Sequence, residues 1–504
     1  MQTSLLLEMA AEADPDRPIL GPAAAPLTNG ELLTRARAAA ALLAGRSGDK
    51  VAFVGLNSPE MVVALFASAL AGKAFAPLNY RLNDDALRAL LARAAPATAV
   101  VDDEMLPRVQ GVPGLDIVPR STFALANAQG EDGGPTCACS PSDAAVLLFT
   151  SGTTGEPKTA VLRHHHLTAY VTSTVDFLGS DAGEATLVSV PPYHIAGISA
   201  ALTGVYSGRR LVQLPAFTPE DWVQTARDEK ITHAMVVPTM LGRILDLLEK
   251  GGKALPDLRL LAYGGGRMPA PVIERVLGRL PHVDFVNAYG LTETSSTVCL
   301  LSPQDHRDAI GSTDPAVRRR LASVGRPLPA VELEIRGPGG QRLSAGDVGE
   351  VYVRGPQIAG EYLHRTTLSG DGWFPTNDSG WVDEAGYLFL EGRLDDVIVR
   401  GGENISPGEI EDVLRGHPAV VDVAVVGAPD EQWGEKIAAF VVCRGPAPDP
   451  AALQAWVRSR LRSTKTPEAW VFRDELPYNE TGKLLRRVLK QDLADAATSP
   501  ASAA

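Results

Sequence analysis

The residues whose types and spacing could do chemistry are concentrated at positions 149–158, where the sequence reads FTSGTTGEPK. Two glycines, four hydroxyl residues and one lysine lie within these ten positions, directly after the apolar run 144–148. Glycine lets a backbone approach a ligand closely, and amides and hydroxyls donate to oxygen atoms, so such a loop after a strand indicates a phosphate site. The alternative is a surface turn rich in serine, threonine and glycine.

One residue distinguishes this loop from the Walker loop of many nucleotide-binding proteins. A Walker loop needs glycine immediately before its lysine, whereas Pro157 precedes Lys158 in this chain. The sequence therefore disfavours a P-loop kinase or ATPase.

Three consecutive histidines, His164 to His166, follow the loop and suggest a metal site at first sight. Consecutive residues of a helix, however, point about 100° apart and cannot converge on one ion. We therefore expect no metal at this run.

The composition is that of an ordinary globular protein. Of 504 residues, 45% are hydrophobic and 21% are charged, and this length suggests about three structural units. The formal net charge of −13 argues against a surface built for nucleic acid, because neutralising phosphates needs dense lysine and arginine. A local basic pocket for a small polyanion is still compatible with this charge.

The cysteines and the apolar segments indicate a cytoplasmic protein. Cys137, Cys139, Cys299 and Cys443 form neither a disulfide framework nor the paired motif of a structural zinc site. The amino terminus has no basic region and places Glu8 directly after its short apolar run, so no signal peptide is expected. The most apolar stretch, 61–71, is too short to span a bilayer, and we expect no membrane insertion.

Short β-rich runs alternate with helical patterns from about residue 50 to 290. This alternation predicts parallel sheets covered by helices, with ligands at the carboxyl ends of the strands. The predicted strands are 51–54, 98–101, 185–190, 233–237, 258–263 and 283–286, and the predicted helices include 60–70, 238–249 and 270–280.

The pattern changes after residue 330. Strict alternation in 331–335 and 348–353 and a hairpin at 380–390 predict a small antiparallel unit. The later segments predict a separate α+β domain. Its elements are helix 406–414, strands 420–426 and 438–442, helix 450–461 and strand 470–472.

These patterns predict an α/β fold with two domains. Residues 1–393 would form a large N-terminal domain of helix-covered, mostly parallel sheets, with a small β-barrel-like unit at about 325–393. A smaller, mobile α+β C-terminal domain would occupy 394–492. We expect a connecting loop at 126–142 and a flexible tail at 493–504, because both segments are rich in small and polar residues.

Seven motifs occur in an order that identifies a family. They are SGTTGEPK at 151–158, PYH at 192–194, YGLTE at 289–293, TND at 376–378, GRLDD at 392–396, GGENI at 401–405 and NETGK at 479–483. Together they closely resemble the adenylate-forming superfamily, in particular its acyl-CoA synthetases. The resemblance covers roughly residues 20 to 492.

The resemblance implies a reaction in two steps that uses ATP, Mg²⁺ and coenzyme A. A carboxylate first attacks the α-phosphorus of ATP, releasing pyrophosphate and giving an acyl-AMP anhydride. A thiol then attacks the acyl carbonyl and expels AMP. Because charge accumulates on the phosphorus, catalysis there depends mainly on positioning and electrostatic stabilisation.

Roles in nucleotide binding follow from the resemblance, position by position. Thr292 would donate to the α-phosphate, and Glu293 would hold Mg²⁺, a hard cation that prefers oxygen ligands. Asp378 would accept from both ribose hydroxyls with help from Arg393. The β- and γ-phosphates would be held by Thr150, Ser151, Gly152, Thr153, Thr154, Gly155 and Lys158. The adenine would lie between Tyr289, followed by Gly290, and the backbone of Gly264, Gly265 and Gly266.

The resemblance makes Lys483 the central catalytic residue. Its charge would bridge the substrate carboxylate and the ATP phosphates, two anions that otherwise repel each other. Seen alone, a lysine after Gly482 would be read as an exposed residue at a helix start. The ordered set of motifs favours the catalytic interpretation.

A rotation of the small domain is implied for the second step. Asp395 occupies the hinge position, and rotation would bring Gly401 and Gly402 to the site in place of Lys483. Trp433 lies where some aryl-CoA ligases stack the adenine of coenzyme A, and a buried packing tryptophan is the alternative.

Two histidines match family positions. His194 would act in catalysis by closing the acyl pocket and moving between the two steps, and a core histidine with satisfied hydrogen bonds is the alternative. His164 is the one member of the histidine run that matches a family position, and a structural role is implied.

Two residues depart from the family pattern. Thr159 replaces the glycine that normally follows the loop lysine, which puts the mobility of the loop in doubt. Arg267 stands where proline is more typical. Pointing inward, Arg267 could pair with a second carboxylate or a polar group of the acid, and pointing outward it would be a solvated surface residue.

The sequence constrains the substrates only broadly. Small apolar residues at 195–202 and Gly266 predict a hydrophobic acid of the fatty, aryl or polycyclic class. Coenzyme A is the leading acceptor, and the pantetheine arm of a carrier protein is the alternative. A non-catalytic nucleotide sensor is disfavoured by the intact set of Glu293, Asp378, Arg393 and Lys483. We expect a monomer or a homodimer.

Overall fold

The computed structural model describes residues 1–129, 139–150, 158–251, 254–478 and 484–498. The first strands of this part of the chain are β1 Pro18–Leu20, β2 Leu27–Thr28, β3 Lys50–Val54, β4 Ala74–Pro77, β5 Ala97–Val101, β6 Leu115–Pro119, β7 Ala144–Thr150, β8 Lys158–Arg163, β9 Ala185–Val188, β10 Arg210–Gln213, β11 His233–Val236, β12 Leu260–Gly264 and β13 Asp284–Leu291. They are followed by β14 Ser296–Leu301, β15 Arg326–Pro327, β16 Glu332–Arg336, β17 Gly349–Arg354, β18 Glu361–Tyr362, β19 Arg365–Thr366, β20 Phe374–Val382, β21 Leu388–Arg393, β22 Ile398–Arg400, β23 Glu403–Ile405, β24 Val420–Asp430, β25 Gly434–Cys443 and β26 Ala469–Arg473.

The α-helices of the same ranges are α1 Ser4–Ala13, α2 Asn29–Ala44, α3 Pro59–Leu70, α4 Asp84–Ala94, α5 Leu106–Val109, α6 Arg120–Gln129, α7 His164–Thr174, α8 Ile195–Ser207, α9 Pro219–Asp228, α10 Pro238–Glu249, α11 Ala270–Arg279, α12 Pro303–Gly311, α13 Pro315–Arg318, α14 Pro407–Arg415, α15 Pro450–Arg458 and α16 Arg486–Thr498. No helix in the described ranges is long and apolar enough to cross a membrane.

Two large sheets form the body of the protein. One has nine strands in the order β15-β14-β13-β12-β11-β9-β10-β1-β2, and the other has eight in the order β19-β18-β8-β7-β4-β3-β5-β6. The central pairs are parallel in both sheets, between β9 and β13 in the first and among β3, β4, β5 and β6 in the second. The predicted helix-covered parallel sheets are confirmed.

Helix α3 joins the two sheets through one core. All its residues from Met61 to Leu70 are buried, and Pro59 starts the helix where a missing backbone N–H costs nothing. A helix that is apolar on every side must be buried on every side. The same cluster of buried side chains includes Phe53 of β3 in one sheet and Leu211 of β10 in the other.

The predicted antiparallel unit is a four-stranded sheet in the order β16-β17-β20-β21. Its last two strands form the predicted hairpin, in which Asp378 lies opposite Arg393. Apolar residues on one face, including Val351 and Leu388, pack against Val298 of β14. This packing holds the hairpin beside β13.

The last described part of the chain is an α+β unit of five strands. Strands β24 and β25 form a long antiparallel pair, β26 joins β25 in parallel, β22 pairs with the start of β25 at Gly434, and β23 pairs with β22. Helix α14 covers the sheet through Ile410 and Leu414. The predicted order of helices and strands after residue 393 is confirmed.

Several predicted boundaries were wrong, including those of β13, α6 and α16. Strand β13 continues to Leu291, beyond the predicted end at 286, because β14 pairs with it in antiparallel fashion. Helix α6 extends to Gln129 into the predicted loop, and α16 extends to Thr498 into the predicted tail. Alanine, which has the highest helix propensity, recurs in both extensions.

Candidate functional site

A bare stretch of backbone lies where β12 ends, beside β13. Gly264 pairs with Ala288, and a side chain at Gly264 would place its Cβ 2.2 Å from the carbonyl oxygen of Ala288. Gly265 has a φ of +76°, a conformation that favours glycine, and Gly265 and Gly266 are exposed. The predicted glycine run and Tyr289 of β13 therefore lie on neighbouring strands, with Gly265 and Gly266 open to solvent and Gly264 buried.

A carboxylate is held between two donors next to this surface. The Tyr289 hydroxyl donates to Oδ2 of Asp378 at 2.5 Å, and Nη1 of Arg393 donates to Oδ1 at 3.0 Å. Asp378 is only 7% exposed. Burial, followed by the Asp378 charge, raises the pKa of Tyr289 well above its ordinary value, so the hydroxyl stays a donor.

The TND motif presents this carboxylate through local backbone geometry. Oγ1 of Thr376 donates to the Val351 carbonyl at 2.8 Å and accepts from the Asp378 N–H at 3.1 Å. Asn377 has a φ of +61°, a left-handed conformation that asparagine tolerates better than most residues. Threonine thus anchors the segment, asparagine turns it and aspartate faces the site.

Burial acts against the charge of Arg393, but Asp378 outweighs it and raises the pKa of Arg393 above its ordinary value. Nη1 of Arg393 also donates to the Thr376 carbonyl at 3.2 Å. The guanidinium therefore stays charged and fixed at the end of β21.

Glu293 lies on a single helical turn, Thr292–Thr294, that directly follows β13. The Tyr362 hydroxyl donates to Oε1 of Glu293 at 2.5 Å. Nζ of Lys158, at the start of β8, lies 5.6 Å from the centroid of the Tyr362 ring. The structure therefore brings the predicted metal ligand and the predicted phosphate lysine to one tyrosine.

Tyr362 is the contact that sequence reasoning missed. It is 69 residues from Glu293 and belongs to none of the seven motifs. No spacing in the sequence connects these two residues, because β18 reaches the site only by adding to the edge of β8. The only local signal for a site residue was the position of Tyr362 shortly after the glycine-containing connection 355–360 between β17 and β18.

The ends of the phosphate loop are described, and its middle is not. Thr150 pairs with Lys158, and its Oγ1 donates to the Lys158 carbonyl at 3.4 Å. Thr159 is buried within β8, where a β-branched side chain fits well, and its carbonyl accepts from the Leu363 N–H at 3.0 Å. The predicted phosphate ligands Ser151, Gly152, Thr153, Thr154 and Gly155, and the predicted catalytic Lys483, lie outside the described residues.

These groups fit a magnesium-bound nucleotide. Open backbone beside a tyrosine suits the flat face of a base, and a fixed carboxylate suits two ribose hydroxyls. The Glu293 carboxylate near Lys158 suits a hard cation next to phosphate oxygens. No cluster of three or more His, Cys, Asp or Glu side chains in the described ranges could hold a metal ion by itself, so the phosphates would have to supply further ligands.

His194 caps the start of α8 and stacks against Tyr193, with 4.7 Å between ring centroids. Burial, followed by the charge of Arg81, lowers the pKa of His194 to about 4, so the ring is neutral near pH 7. Among the described residues neither ring nitrogen has a hydrogen-bond partner. The role of His194 in the acyl pocket stays a prediction.

Trp433 is exposed, and the alternative of a buried packing residue is wrong. Trp433 is 42% exposed to solvent. Arg400 lies over the ring at 4.8 Å, and a side chain at Gly401 would place its Cβ 2.8 Å from the same ring. Gly401 and Gly402 are themselves exposed, so the predicted pantetheine segment faces solvent beside this tryptophan.

The predicted hinge residue is tied to the TND motif. Nδ2 of Asn377 donates to Oδ2 of Asp395 at 2.8 Å. Asp395 is exposed and lies on a short turn, Leu394–Asp396, between β21 and β22. The turn is the covalent connection between β21, which ends at Arg393, and the C-terminal unit.

Arg267 points away from the acyl region. Its side chain is 42% exposed and donates from Nη2 to Oδ2 of Asp412 on α14. Gly408 leaves room for it, since a Cβ there would lie 2.2 Å from Nη1 of Arg267. Of the two predicted orientations the structure has the outward one, in which Arg267 forms an ion pair across to the C-terminal unit.

The three histidines do not converge. His164 is buried, and its Nδ1 lies 2.9 Å from Oγ1 of Thr3, while His165 contacts the Pro141 carbonyl. Nδ1 of His166 accepts from the Arg163 N–H at 3.3 Å. Each ring has its own protein partner, and His164 joins α7 to the amino-terminal segment.

The sequence matches the model of the AMP-binding enzyme family over residues 7–363 and that of the AMP-binding enzyme C-terminal domain over 409–483. A fatty acid–[acyl-carrier-protein] ligase, ScoC of Streptomyces coeruleorubidus, is 35% identical over 88% of this chain and 86% of its own length. A feruloyl-CoA synthase of an Amycolatopsis species is 34% identical over 91% of this chain and 92% of its own. The crystal structure of ATP-bound MatB from Rhodopseudomonas palustris has a TM-score of 0.87 at 27% identity, covering 98% of this chain and 100% of its own.

Proposed function

The chain belongs to the family of AMP-binding enzymes, and from this we propose that it is an acid:CoA ligase that activates a hydrophobic carboxylic acid with ATP. The acid would attack the α-phosphorus, pyrophosphate would leave, and an acyl-AMP would form. The sulfur of coenzyme A would then attack the acyl carbonyl, AMP would leave, and the thiol proton would pass to solvent.

One observation carries this proposal. The Asp378 carboxylate is fixed between Tyr289 and Arg393, and Tyr289 lies on β13, which pairs with the glycine end of β12 and leads directly into the turn that carries Glu293. Open glycine backbone suits a base, Asp378 suits a ribose and Glu293 suits a phosphate-bound cation, in the order in which these parts follow one another along a nucleotide. ATP-bound MatB, which shares the fold, supports a nucleotide at this place.

In the first step the residues would act chiefly by holding the charged groups of ATP and the acid in position. Asp378 would accept from the ribose hydroxyls, and Thr292 would donate to the α-phosphate. Glu293 would hold Mg²⁺, which would neutralise phosphate charge during the attack. Lys483 would bring the acid carboxylate against the phosphorus, where mutual repulsion would otherwise keep the two anions apart.

The second step would use the exposed segment of the C-terminal unit. Rotation about Asp395 would bring Gly401 and Gly402 over the acyl-adenylate, and the absence of side chains there would leave room for the pantetheine arm. Trp433 would stack the adenine of coenzyme A, since its ring is exposed beside these glycines. Arg400 next to the ring would favour the phosphates of coenzyme A.

The acyl pocket would lie at the start of α8. His194 is neutral near pH 7, and the next residues, Ile195 to Leu202, are small and apolar. Such walls favour fatty, aryl or polycyclic acids over short hydrophilic ones. The sequence relationship to a feruloyl-CoA synthase and to a fatty acid ligase supports this class of acid.

A carrier protein is the second candidate acceptor. The observation that favours it is the 35% identity to a fatty acid–[acyl-carrier-protein] ligase. A carrier protein presents the same pantetheine arm without the adenine, so it would not need Trp433. The Trp433→Ala variant therefore separates the two acceptors.

The first experiment tests acid activation. Exchange of labelled pyrophosphate into ATP is measured with a panel of fatty, aryl, polycyclic and short dicarboxylic acids. We expect exchange with at least one hydrophobic acid and a loss of about a hundredfold or more in Lys483→Ala. Exchange with short hydrophilic acids alone would contradict the acid class, and no exchange with any acid would contradict the proposed function.

The second experiment tests the acceptor. With the best acid, thioester formation is compared between coenzyme A and a pantetheinylated carrier protein. Trp433→Ala should raise KM for coenzyme A about tenfold, the cost of one stacked base, and leave KM for ATP unchanged. A faster reaction with the carrier, insensitive to Trp433→Ala, would make the carrier protein the acceptor.

A further inference from the structure

We propose that Tyr362 is a positioning residue that holds the magnesium-binding carboxylate and the phosphate-binding lysine in one fixed arrangement. This inference rests on the proposed function, since it concerns the same nucleotide site. Tyr362 lies on β18, outside the seven motifs, and contacts Glu293 with its hydroxyl and Lys158 with its ring. It would touch neither ATP nor the acid itself.

The hydroxyl fixes the direction of the carboxylate. Tyr362 donates to Oε1 of Glu293 at 2.5 Å, a short distance typical of a hydrogen bond to a charged acceptor. Among the described residues Oε2 of Glu293 has no partner. The tyrosine therefore occupies one oxygen and leaves the other available, as a hydrogen-bonded metal ligand requires.

The direction of this hydrogen bond follows from its two groups. A tyrosine hydroxyl carries its proton throughout the neutral range, and a carboxylate accepts, so Tyr362 is the donor and Glu293 the acceptor.

The ring faces the phosphate lysine. Nζ of Lys158 lies 5.6 Å from the ring centroid, within the range of a cation–π interaction, and the lysine is otherwise exposed. A long exposed side chain loses many conformations when it binds phosphate. A ring beneath its ammonium reduces the number of conformations that must be lost.

Tyr362 is anchored from both sides through its backbone neighbours. The N–H groups of Ala359 and Gly360 donate to the Glu293 carbonyl at 2.9 Å and 3.0 Å. On the other side the Leu363 N–H donates to the Thr159 carbonyl at 3.0 Å, next to Lys158. The segment 359–363 thus joins the turn that carries Glu293 to the strand that carries Lys158.

A purely structural tyrosine would also pack here, so the test must separate packing from positioning. Tyr362→Phe keeps the ring and removes only the hydroxyl. Tyr387→Phe is the matched control, because the Tyr387 hydroxyl also donates to a carboxylate, Oδ1 of Asp305, at 2.6 Å, and neither residue is among those assigned to the nucleotide. Both variants lose one tyrosine–carboxylate hydrogen bond, and only one of them loses it at the nucleotide.

The first measurement is binding, without turnover. Mn²⁺ binding to the full-length protein with ATP, in the absence of acid, is followed by electron paramagnetic resonance. We expect Tyr362→Phe to weaken Mn²⁺ binding about tenfold, the usual effect of losing a partner of a metal ligand, and Tyr387→Phe to bind like the wild type. Equal Mn²⁺ affinity in Tyr362→Phe and the wild type would overturn the proposal.

The second measurement is the Mg²⁺ dependence of pyrophosphate exchange. Tyr362→Phe should need about tenfold more Mg²⁺ for half-maximal exchange and recover the wild-type kcat at saturation. Tyr362→Leu, which also loses the ring, should in addition raise KM for ATP. A loss of kcat that excess Mg²⁺ does not restore would overturn the positioning role.

The two proposals fail in different ways. If the wild type exchanges no pyrophosphate with any acid, the proposed function fails, and the Mn²⁺ measurement still decides the role of Tyr362. If the wild type is active and Tyr362→Phe has the same metal dependence as Tyr387→Phe, the inference about Tyr362 fails and the function stands.

Discussion

Both carboxylate oxygens of Asp378 accept hydrogen bonds from protein donors, and the two donors lie on different strands. Tyr289 holds one oxygen from β13 and Arg393 holds the other from β21. Each oxygen of a carboxylate can accept a second hydrogen bond, so the ribose hydroxyls can bind without displacing either donor. The carboxylate is therefore placed before the nucleotide arrives.

Replacing this carboxylate by an amide tests that placement. In Asp378→Asn one oxygen becomes an NH₂ group that cannot accept, and the Arg393 charge loses its partner. We expect the Kd for ATP to rise about tenfold or more, because hydrogen bonds to a charged group are the stronger ones. Calorimetric titration of ATP measures this change.

The matched control for Asp378→Asn is Asp305→Asn. Asp305 is also a buried carboxylate that accepts from a tyrosine hydroxyl, that of Tyr387, and it is not among the residues assigned to the nucleotide. An unchanged affinity in Asp378→Asn, or an equal loss in Asp305→Asn, would contradict the role assigned to Asp378.

At the residue scale, motifs predicted most of the site and could not predict its internal contacts. Tyr289, Asp378, Arg393 and Glu293 were found because each belongs to a motif with fixed neighbours. Tyr362 was not found, because its contact with Glu293 depends on β18 pairing with β8. Arg267 was identified as unusual, but its partner Asp412 is 145 residues away and only the fold connects them.

Helix α7 starts with two buried neutral histidines, and this element makes the fold sensitive to acid. Burial lowers the pKa of His164 to about 4, although the nearby Asp143 favours the proton, and lowers the pKa of His166 to about 3. Both values lie below the ordinary pKa of an unfolded histidine, about 6.5. The unfolded chain therefore binds protons that the folded chain excludes as pH falls below 6.5.

The sign of the pH effect follows from this difference. The stabilisation that the two neutral histidines contribute is fully present above pH 6.5 and is lost as pH falls towards their pKa values in the folded protein. Between pH 6.5 and 5 each histidine should lower the free energy of unfolding by up to about 2 kcal/mol. Urea unfolding of the full-length protein at several pH values measures the slope.

His164→Gln should flatten this slope, because glutamine has an acceptor for the Thr3 contact and does not titrate. His165→Gln serves as the control, since His165 is only half-buried and contacts the Pro141 carbonyl at the surface. An identical slope in His164→Gln and the wild type would contradict the prediction.

At the element scale, periodicity identified which segments are strands and helices, and missed where some of them end. Strand β13 is longer than predicted because Asn287 and Gly290 interrupt the apolar run, and the pairing of residues 287–291 with β14 maintains the strand there. Helix α16 extends into the predicted tail because Leu489 and Leu493 pack against the last sheet. Tertiary contacts decide such boundaries, and they are absent from a local pattern.

Across the whole molecule, one exposed ion pair links the N-terminal body to the C-terminal unit in this arrangement. Arg267 lies directly after the glycines of the base surface, and Asp412 lies on α14. Gly401 and Gly402 face solvent here, so bringing them to the site by rotation would separate Arg267 from Asp412. In the proposed mechanism the pair would therefore favour the arrangement in which the acid is activated.

Breaking this pair should favour the second step. In Arg267→Ala we expect the rate of thioester formation from preformed acyl-adenylate to rise relative to the rate of pyrophosphate exchange. The change should be at most about fivefold, because a half-exposed ion pair contributes no more than about 1 kcal/mol. Rapid-quench measurements of the two steps give this ratio.

Arg275→Ala is the matched control for Arg267→Ala. Arg275 is 44% exposed and pairs with Glu249, but both residues belong to the N-terminal body. The ratio of the two steps should be unchanged in Arg275→Ala. The same ratio in both variants would exclude a role of Arg267 in the domain arrangement.

The complete burial of α3 has a consequence for how the chain reaches its fold. This helix has no polar side of its own, and the core cluster to which it belongs includes side chains of α8 and β10, more than a hundred residues later in the chain. A nascent or truncated chain that lacks the nine-stranded sheet would expose the apolar surface of α3 to solvent. The segments that form the two large sheets must therefore fold together. Cutting the chain between these segments should yield insoluble fragments rather than two stable domains.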